Sequence, residues 1–354
     1  MRVLLTGCAG FIGYHVARRL LERGDELVGI DSINDYYDPV LKYARLHQLG
    51  INACDAVGGS ACTSNLFQKM EFRQVKLEDQ PAMEQLFSRQ SYDLVINLAA
   101  QAGVRYSIEN PRAYIEANVS GFLNVLEGCR HNSVGHLVYA SSSSVYGLNR
   151  DRPFSTHRGA DHPVSMYAAT KRSNELMAHA YSHLHGIPTT GLRFFTAYGP
   201  WGRPDMAYFK FAKAIMEGHV IDVYNGGDML RDFTYIDDIV QGILLTASRA
   251  PGYDAGWDSS QSDAATSSAP YRLYNIGNNH PVRLDDFIKS LEKALGKEAE
   301  KRYVPMQPGD VYATEADIDD LELDFGWKPA IDIEEGLARF AEWYKAYSGV
   351  GAIV

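Results

Sequence analysis

The first half of the chain alternates short apolar runs with amphipathic segments of helical length. The runs VLLTG, ELVGID, DLVINLAA and HLVYASS have the length and composition of buried strands. Helical segments such as YHVARRLLERG and AYIEANVSGFLNVLEGCRH stand between them. Strands that alternate with helices are typical of a parallel sheet with helices on both faces. The pattern therefore predicts an α/β fold built on a doubly wound parallel sheet.

The alternation of strands and helices becomes irregular after about residue 195, where the proline-rich turns GPWGRPDM and MQPGDVY stand among short mixed segments. We predict a first domain over residues 1–195, to which a later segment near 233–250 returns. A smaller mixed α/β lobe is expected over residues 196–354. Residues 250–270 are small, polar and aperiodic, which is typical of a surface loop.

The bulk composition narrows the class of protein. The 354 residues are 45% apolar and 22% charged, which is ordinary for a soluble globular chain. A net charge of -10 disfavours binding to nucleic acid or to an anionic membrane surface. The start MRVLLTGCAGFIG does not resemble a signal peptide, and no apolar stretch is long enough to span a bilayer. We therefore expect a cytoplasmic protein.

The cysteines are sparse. Cys8, Cys54, Cys62 and Cys129 form no CxxC pair and lack the density of a disulfide framework. Reduced thiols are therefore expected, and no metal site is implied.

A glycine-rich turn follows the first strand. Gly7, Gly10 and Gly13 stand in GxxGxxG spacing between RVLLT and the helical segment YHVARRLLERG. Such glycines let the backbone approach a pyrophosphate, which the NH groups of the following helix stabilise. The next strand ends in Asp31, 18 residues after Gly13, where a carboxylate binds an adenosine ribose diol and repels a 2'-phosphate. These residues predict a Rossmann site for NAD rather than NADP.

The segment SMYAATKRSNELMAHAYSHLHG carries the candidate catalytic pair. Ser165 stands at an N-cap position and Gly186 at the end, so a helix is predicted between them. Tyr167 and Lys171 then share one face, where an ammonium group stabilises phenolate over phenol. Such a tyrosine is able to accept a proton from an alcohol while a hydride leaves to the cofactor.

The glycine turn, the hydroxyl-rich run YASSSSVYG and the YxxxK pair, in this order, resemble the extended short-chain dehydrogenase/reductase family. Further motifs are similar to those of the UDP-glucuronate 4-epimerases: DSINDYYDPVLKYARL, NLAAQAGVRYSIENPRAYIEANVSGFLNVLEGCR, RFFTAYGPWGRPDM, IDVYNGGDMLRDFTYIDDIV, YRLYNIGNN and MQPGDVY. The resemblance covers nearly the whole chain. It implies oxidation of a UDP-sugar at carbon 4 with tightly held NAD, followed by return of the hydride to the other face.

The resemblance also implies site residues, position by position. Those expected around NAD are Gly7, Gly10, Phe11, Ile12, Gly13, Asp31, Leu98, Ala99, Ala100, Gln101, Asn118, Tyr167, Lys171 and Phe195. Those expected at the UDP-sugar, besides Tyr167, Ser142, Ser143 and Ser144, are Thr196 and Arg231 near the phosphates, Asp310 at a ribose, and Arg203 as a further anion contact. Lys76 stands where many relatives carry an adenine-binding aspartate, so that contact is expected to be lost or to move to Glu78 or Asp79.

The four serines separate related chemistries. By resemblance, the reacting hydroxyl lies four residues before the tyrosine of VYG, which makes it Ser142, and this hydroxyl shares the sugar O4 proton with Tyr167. Dehydratases of the family carry an Asp-Glu pair in the next two positions, and UDP-glucuronate decarboxylases carry a glutamate in the second, because their reactions need a carboxyl acid or base near carbons 5 and 6. Here Ser143 and Ser144 stand instead, which favours simple epimerisation. Their hydroxyls are expected either to bind the sugar carboxylate or to cap the strand.

Two other functions remain open at this point. One is a UDP-glucose or UDP-N-acetylglucosamine 4-epimerase with the same site, and the other is a non-catalytic NAD-binding regulator. The regulator needs none of Ser142, Tyr167 and Lys171. Relatives dimerise through the helix that carries the tyrosine, so a homodimer is expected, with Met177, Ala180 and Tyr181 either at that face or in the core.

Overall fold

The computed structural model describes residues 1–52, 60–261, 263–306 and 311–350, with the side chain of Val350 excepted. The strands in these ranges are β1 Arg2–Thr6, β2 Glu26–Asp31, β3 Cys62–Thr63, β4 Met70–Gln74, β5 Leu94–Asn97, β6 His136–Ser142, β7 Thr189–Phe194, β8 Thr196–Tyr198, β9 Ile221–Tyr224, β10 Leu230–Arg231, β11 Phe233–Tyr235, β12 Tyr271–Ile276, β13 Val282–Arg283 and β14 Lys301–Val304. The α-helices are α1 Phe11–Glu22, α2 Val40–Gln48, α3 Gln80–Ser88, α4 Tyr106–Glu109, α5 Pro111–Tyr114, α6 Gly121–His131, α7 Met166–His185, α8 Ala207–Glu217, α9 Ile236–Ala247, α10 Leu284–Leu295, α11 Asp319–Phe325 and α12 Ile333–Val350.

The chain divides into two compact units. The first comprises Met1–Arg150, Ser155–Phe194 and Val240–Asn275, and the second comprises Asp151–Phe154, Phe195–Ile239 and the chain from Ile276 onward. The segment that returns to the first unit is thus residues 240–275, where the sequence suggested residues 233–250. Its last residues form β12, which joins the sheet beside β7 and buries Leu273 in the core of the first unit.

The first unit is built on one large sheet with the strand order β12-β7-β6-β5-β1-β2-β4-β3. Strands β1, β2, β4, β5, β6 and β7 pair in parallel, whereas β3 is antiparallel to β4. The strand order reverses between β1 and β5, and ligands of doubly wound folds bind at the carboxyl ends of strands at such a point. The predicted α/β doubly wound fold is confirmed.

Helices cover both faces of the central strands, and this explains why those strands are apolar along their whole length. Every residue of β5, β6 and β7 is buried, which requires cover on both faces of the sheet. Helix α6 contributes Phe122, Val125 and Leu126 to a core that also contains Val95 and Leu137 of the sheet. The sheet is thereby held rigidly enough to fix the residues at its carboxyl edge.

The second unit is a smaller mixed α/β lobe, as the sequence pattern predicted. Its strands form three short pairs: β8 with β11 and β9 with β14 in parallel, and β10 with β13 antiparallel. The Phe233 and Phe287 rings stack 4.2 Å apart, and the edge of Tyr208 meets Phe340 at 5.0 Å. The first contact packs α10 against β11, and the second packs α8 against α12.

Residues 250–270 have the irregular backbone expected of a loop, apart from a short 3-10 turn at Ser259–Gln261, with residue 262 outside the description. The loop is nevertheless fastened to the first unit. Asp263 lies 2.9 Å from the Nδ1 atom of His157, and Ser267 lies 2.8 Å from the Nε2 atom of His179.

The helices and the cysteines can be compared with what the sequence predicted. Within the described ranges, no helix is long and apolar enough to cross a membrane. Cys8, Cys62 and Cys129 are buried free thiols, and Cys54 lies outside the described residues.

Candidate active site

The glycine turn between β1 and α1 has the close backbone packing that its sequence suggested. Gly7 adopts a φ of +73°, and a Cβ atom there would lie 2.8 Å from the backbone nitrogen of Ala99. A Cβ atom at Gly13 would lie 2.0 Å from the carbonyl oxygen of Gly7. The N-cap residue of α1 is Gly10, which has no side chain to accept a bond, and the NH groups in the first turn of a helix have no acceptor within the helix itself. This is the arrangement that accepts a pyrophosphate.

Asp31 ends β2 beside this turn and is buried. Its Oδ2 atom accepts a hydrogen bond from the backbone NH of Ala9 at 3.2 Å, and its Oδ1 atom accepts one from the NH of Ile33 at 2.9 Å. An ionised carboxylate has about four acceptor positions, so two such bonds leave capacity for a ribose diol. The two backbone bonds fix the carboxylate relative to the glycine turn.

The segment after β5 forms the next part of this edge. Ala99 donates its backbone NH to the hydroxyl of Thr6 at 3.0 Å, and Leu98 and Ala100 are half-buried beside it. Gln101 is fixed by Asn118, whose Oδ1 accepts from the Gln101 backbone NH at 2.7 Å and whose Nδ2 donates to the Gln101 carbonyl at 3.0 Å. The structure therefore shows Asn118 holding the backbone of the predicted cofactor-binding segment.

Asn118 lies on a stretch of π-helix, Ile115–Ser120, between α5 and α6. Its Nδ2 atom also donates to the hydroxyl of Thr170 on α7 at 3.1 Å, and its carbonyl accepts from Asn174 at 2.6 Å. Single turns of π-helix often occur at functional sites. Here the turn joins the segment after β5 to the helix that carries the candidate catalytic pair.

The helix predicted between Ser165 and Gly186 is confirmed as α7. Ser165 accepts a hydrogen bond from the NH of Ala168 at 3.1 Å, and Gly186 ends the helix with a φ of +67°. Tyr167 is half-buried at the first turn, and its ring meets the buried ring of Tyr114 edge-on at 6.1 Å. Lys171 follows one turn later on the same face.

Lys171 is buried, with 3% of its surface exposed. Its Nζ atom donates to the carbonyl oxygen of Ala140, on β6, at 2.8 Å. Burial disfavours the charged amine and lowers the pKa of Lys171 to about 8, although the Glu175 carboxylate opposes this change. A lysine with such a pKa is charged at neutral pH but close to titration.

The serine run lies where β6 ends. Ser142 is the last residue of the strand, and Ser143 and Ser144 begin a short 3-10 helix, Ser143–Tyr146. The hydroxyl of Ser142 accepts from the backbone NH of Ser144 and donates to its hydroxyl, both at 3.2 Å. Ser142 thus caps the 3-10 helix, in addition to the reacting role that the resemblance implies for it.

In the second unit, Phe195 and Thr196 begin the segment expected at the cofactor and the phosphates. Phe195 is buried and donates its NH to the carbonyl of Ile276 at 3.0 Å. Thr196 is half-buried in β8 and donates its NH to the carbonyl of Asp232 at 3.1 Å. The buried Asp232 carboxylate accepts from the NH groups of Asn278, at 2.5 Å, and Ala316, at 2.9 Å. These bonds fix the short strands that carry Thr196 and the neighbouring Arg231.

Arg231 and Arg203 have different surroundings within the second unit. Arg231 donates from Nη1 to the carbonyls of Leu230 and Tyr312 at 3.0 and 3.1 Å, which orients the guanidinium. Arg203 forms a bidentate pair with Asp205, at 3.0 and 2.5 Å. A substrate anion at Arg203 would therefore compete with a carboxylate. Asp310 lies outside the described residues.

The expected adenine contacts are on the surface. Lys76, Glu78 and Asp79 are exposed, and Asp79 caps α3 by accepting from the NH of Ala82 at 3.1 Å. Asp79 therefore has a structural role of its own in α3.

The sequence patterns did not predict the buried charged residues near the candidate catalytic pair and in the second unit. Glu175 and Arg193 are fully buried and paired, and Asp232 is buried in the second unit. The available signals were an arginine inside the apolar strand TTGLRF and a glutamate one turn after Lys171.

The first unit fits NAD. The close approach of Gly13 to Gly7 leaves room for a pyrophosphate only because neither residue has a side chain, and a carboxylate stands at the end of the next strand. Gly7, Gly10, Gly13 and the first turn of α1 would hold the pyrophosphate, and Asp31 would hold the adenosine ribose.

Comparisons with known proteins agree with this reading. The model of the NAD dependent epimerase/dehydratase family matches residues 3–256. The chain is 52% identical over 347 residues to Protein CapI of Staphylococcus aureus, covering 98% of this chain and 99% of that protein. It is 46% identical over 345 residues to a probable UDP-glucuronate 4-epimerase of Rhizobium meliloti, covering 97% of each.

A solved structure extends the likeness to three dimensions. The crystal structure of UDP-glucuronic acid 4-epimerase from Bacillus cereus, in complex with UDP-glucuronic acid and NAD, superposes with a TM-score of 0.83 at 29% identity, covering 98% of this chain and all of that one. The predicted resemblance to the UDP-glucuronate 4-epimerases is thereby confirmed. The chain belongs to the NAD dependent epimerase/dehydratase family.

Proposed function

We propose that this chain interconverts UDP-glucuronate and UDP-galacturonate by reversible epimerisation at carbon 4, through a 4-keto intermediate, with bound NAD. The proposal is based on the residues at the end of β6. There Ser142 is followed by Ser143 and Ser144 rather than by a carboxyl group, and β6 packs against the helix with Tyr167 and Lys171. The likeness to a probable UDP-glucuronate 4-epimerase supports the choice of sugar.

Tyr167 is the base in this proposal. Its phenolate accepts the proton of the sugar O4 hydroxyl as the carbonyl forms, holds that proton and returns it when the alcohol is restored. The ammonium of Lys171 favours phenolate through its opposite charge, and Ser142 shares the O4 proton by a hydrogen bond. When bound, NAD supplies the acceptor of the hydride from carbon 4 and the donor that returns it to the other face of the sugar.

Recognition of the sugar carboxylate is assigned to Ser143 and Ser144. Hydroxyl groups bind a carboxylate without adding a charge, and hydrogen bonds to an ionised acceptor contribute about 1.5 to 3 kcal/mol each. Thr196 and Arg231 are assigned to the UDP phosphates and Asp310 to a ribose. Arg203 is a further anion contact in the proposal, provided that its pair with Asp205 opens.

The test uses purified protein without added NAD. UDP-glucuronate, UDP-glucose and UDP-N-acetylglucosamine are supplied separately, and NMR identifies the products. We expect UDP-galacturonate from UDP-glucuronate, with little or no conversion of the other two sugars. Preferred conversion of either neutral sugar would assign the chain to that 4-epimerase instead.

The same experiment addresses a non-catalytic regulator, with Tyr167→Phe as the matched variant. The variant keeps the ring against Tyr114 but lacks the base, so it should retain NAD and UDP-sugar while losing about 10²-fold or more in turnover. Turnover above about a tenth of the wild-type rate would remove Tyr167 from the role of base. An inactive wild-type protein that binds NAD would favour the regulator.

A homodimer and a cytoplasmic location complete the proposal. Leu176 and Leu184 on α7 are 57% and 70% exposed, and Ala180 between them is exposed as well. Met177 and Tyr181 instead pack against the core. We assign the exposed apolar face to the dimer, and multi-angle light scattering of wild type and Leu176→Glu tests this assignment, since a dimer that persisted unchanged would exclude this face.

A further inference from the structure

Glu175 is a buried carboxylate one helical turn after Lys171 on α7. Arg193 of β7 donates to it from Nε and Nη2, both at 2.8 Å. Ser141 donates its hydroxyl at 2.6 Å, and Arg172 donates from Nη1 at 2.8 Å. These four residues, Glu175, Arg193, Arg172 and Ser141, are called the Glu175 cluster below.

Stability alone is a weak reason for such a cluster. Removing two charges from water costs several kcal/mol per ion, and apolar residues of similar volume often give equal or higher stability. Glu175 and Arg193 have no exposed surface. The cluster's contacts instead indicate a role in positioning or in charge.

The cluster joins the elements that carry the proposed catalytic groups. Ser141 immediately precedes Ser142 on β6 and is the register partner of Arg193 on β7. Glu175 accepts from both of these residues, while Lys171, on the same helix, donates to the carbonyl of Ala140. The end of β6 is thus fastened to α7 at two consecutive residues, directly before the proposed reacting serine.

The cluster also fixes the charge around Lys171. Burial alone would raise the pKa of Glu175, but Arg193, Ser141 and Arg172 together hold that pKa below its ordinary value. Arg193 stays protonated, because the attraction of Glu175 raises its pKa in spite of burial. Lys171, whose pKa burial lowers to about 8, changes its charge near neutral pH while Glu175 and Arg193 keep theirs.

The other titratable groups that face α7 here remain neutral or lie further out. Burial raises the pKa values of the tyrosines that approach from β6, the 3-10 helix and β12, namely Tyr139, Tyr146 and Tyr271. Tyr114 approaches from α5 against Tyr167, and Asp161 lies outside, 3.4 Å from Arg172. Among these groups Glu175 is the anion that favours a charged Lys171.

We propose that Glu175, held by Arg193, is a positioning residue for the reaction: it fixes the end of β6 against α7 and keeps the Lys171 ammonium charged beside Tyr167. The proposal rests on the proposed function for the roles of Tyr167 and Lys171. Glu175 itself touches neither substrate nor cofactor in this proposal, and acts through Lys171 and Ser141.

The test compares wild type with Glu175→Gln, which keeps the shape of the side chain and removes its charge, although one of the two acceptor oxygens becomes an NH2 donor. The first readout is the titration of Lys171 in NAD-loaded protein with [ε-13C]lysine, where the Lys171→Met variant assigns the signal. An opposite charge at this range changes a pKa by about one unit or more, so the midpoint in Glu175→Gln should fall by about that amount. The alkaline limb of the kcat profile should move to lower pH by the same interval, with KM for UDP-glucuronate unchanged.

Arg172→Gln is the matched control. It disturbs the same cluster, but it deletes a cation that donates to Glu175 and leaves the Glu175 anion in place, so it should not move the Lys171 midpoint to lower pH. A purely structural role for the cluster would give the same direction of change in both variants. The double variant Glu175→Leu, Arg193→Met removes both charges of the buried pair, and Arg172 keeps Asp161 as a partner. It should move the Lys171 midpoint to lower pH by less than Glu175→Gln does, because a cation is removed together with the anion, and it supplies the readout if Glu175→Gln folds poorly.

The outcomes separate this inference from the proposed function. Wild-type protein that does not convert UDP-glucuronate would overturn the proposed function, while the lysine titration would still measure the link from Glu175 to Lys171. Conversion by wild type together with identical midpoints and identical kcat profiles in all variants would overturn the inference alone.

Discussion

The Nζ atom of Lys171 donates a hydrogen bond to the carbonyl oxygen of Ala140 at 2.8 Å, two residues before Ser142. The bond crosses from the helix with the proposed base to the strand with the proposed reacting hydroxyl. Lys171 is thus tied to the protein on one side while its charge is available to Tyr167. Four predictions follow from this arrangement and from the rest of the site.

Replacing Lys171 by methionine should stabilise the protein more at pH 7 than at pH 10. The pKa of Lys171 is lowered to about 8 by burial, so the cost of its charge is fully present below pH 8 and declines as the pH rises from there toward the unfolded value. Melting temperatures of cofactor-depleted wild type and Lys171→Met at the two pH values measure the difference. The lost hydrogen bond to Ala140 lowers the melting temperature of the variant equally at both pH values. An increase in melting temperature that is the same at both pH values, or larger at pH 10, would therefore contradict this explanation. Turnover should be lost in the variant.

Gly13→Ala should abolish NAD retention and destabilise the fold. The new Cβ atom would lie 2.0 Å from the carbonyl oxygen of Gly7, and a backbone atom cannot move away as a side chain does. Overpacking of this kind costs about 1 to 3 kcal/mol. Gly252→Ala is the control, because its Cβ atom would meet nothing within 4 Å. The NAD released on denaturation and the melting temperature are the measurements; a Gly13→Ala protein with full NAD content would exclude this turn as the pyrophosphate site.

NADP should be a poor substitute for NAD. The Asp31 carboxylate is fixed by the NH groups of Ala9 and Ile33, so it cannot swing away from a 2'-phosphate without losing both bonds. Apo-protein is reloaded with each cofactor, and epimerase activity is followed. Asp31→Ser should reduce the preference for NAD over NADP, since it removes the negative charge that repels the 2'-phosphate. Equal rescue of the wild type by both cofactors would take Asp31 out of the ribose site.

The double change Ser143→Ala, Ser144→Ala should raise KM for UDP-glucuronate far more than for UDP-glucose, if the latter reacts at all. The 4-keto intermediate is a β-keto acid, so a less restrained carboxylate should also release more carbon dioxide and leave a 4-keto-pentose. The backbone NH of Ser144 still donates to Ser142 in the variant, which preserves the cap. NMR with a labelled carboxyl carbon measures the partition, and Ser260→Ala in the exposed loop is the control. Unchanged preference and unchanged carbon dioxide release would leave these serines with a capping role only.

Local patterns in the sequence determined much of the first unit. Glycines without side chains, an acidic strand end and a serine-to-glycine helical segment act through neighbours in sequence, so the turn at Gly7, the position of Asp31 and the bounds of α7 follow from the residues themselves. The i, i+4 spacing likewise puts Tyr167 and Lys171 on one helix face without knowledge of the rest of the fold.

Only the tertiary structure decided which elements those residues meet. The return of residues 240–275 depends on β12 finding the free side of β7, and the roles of Glu175, Arg193 and Asn118 depend on partners that are 17 to 56 residues away in the chain. The spacing of residues in the sequence does not predict such partners. A buried charge or amide needs a partner only after the sheet and its helices have packed and removed it from water.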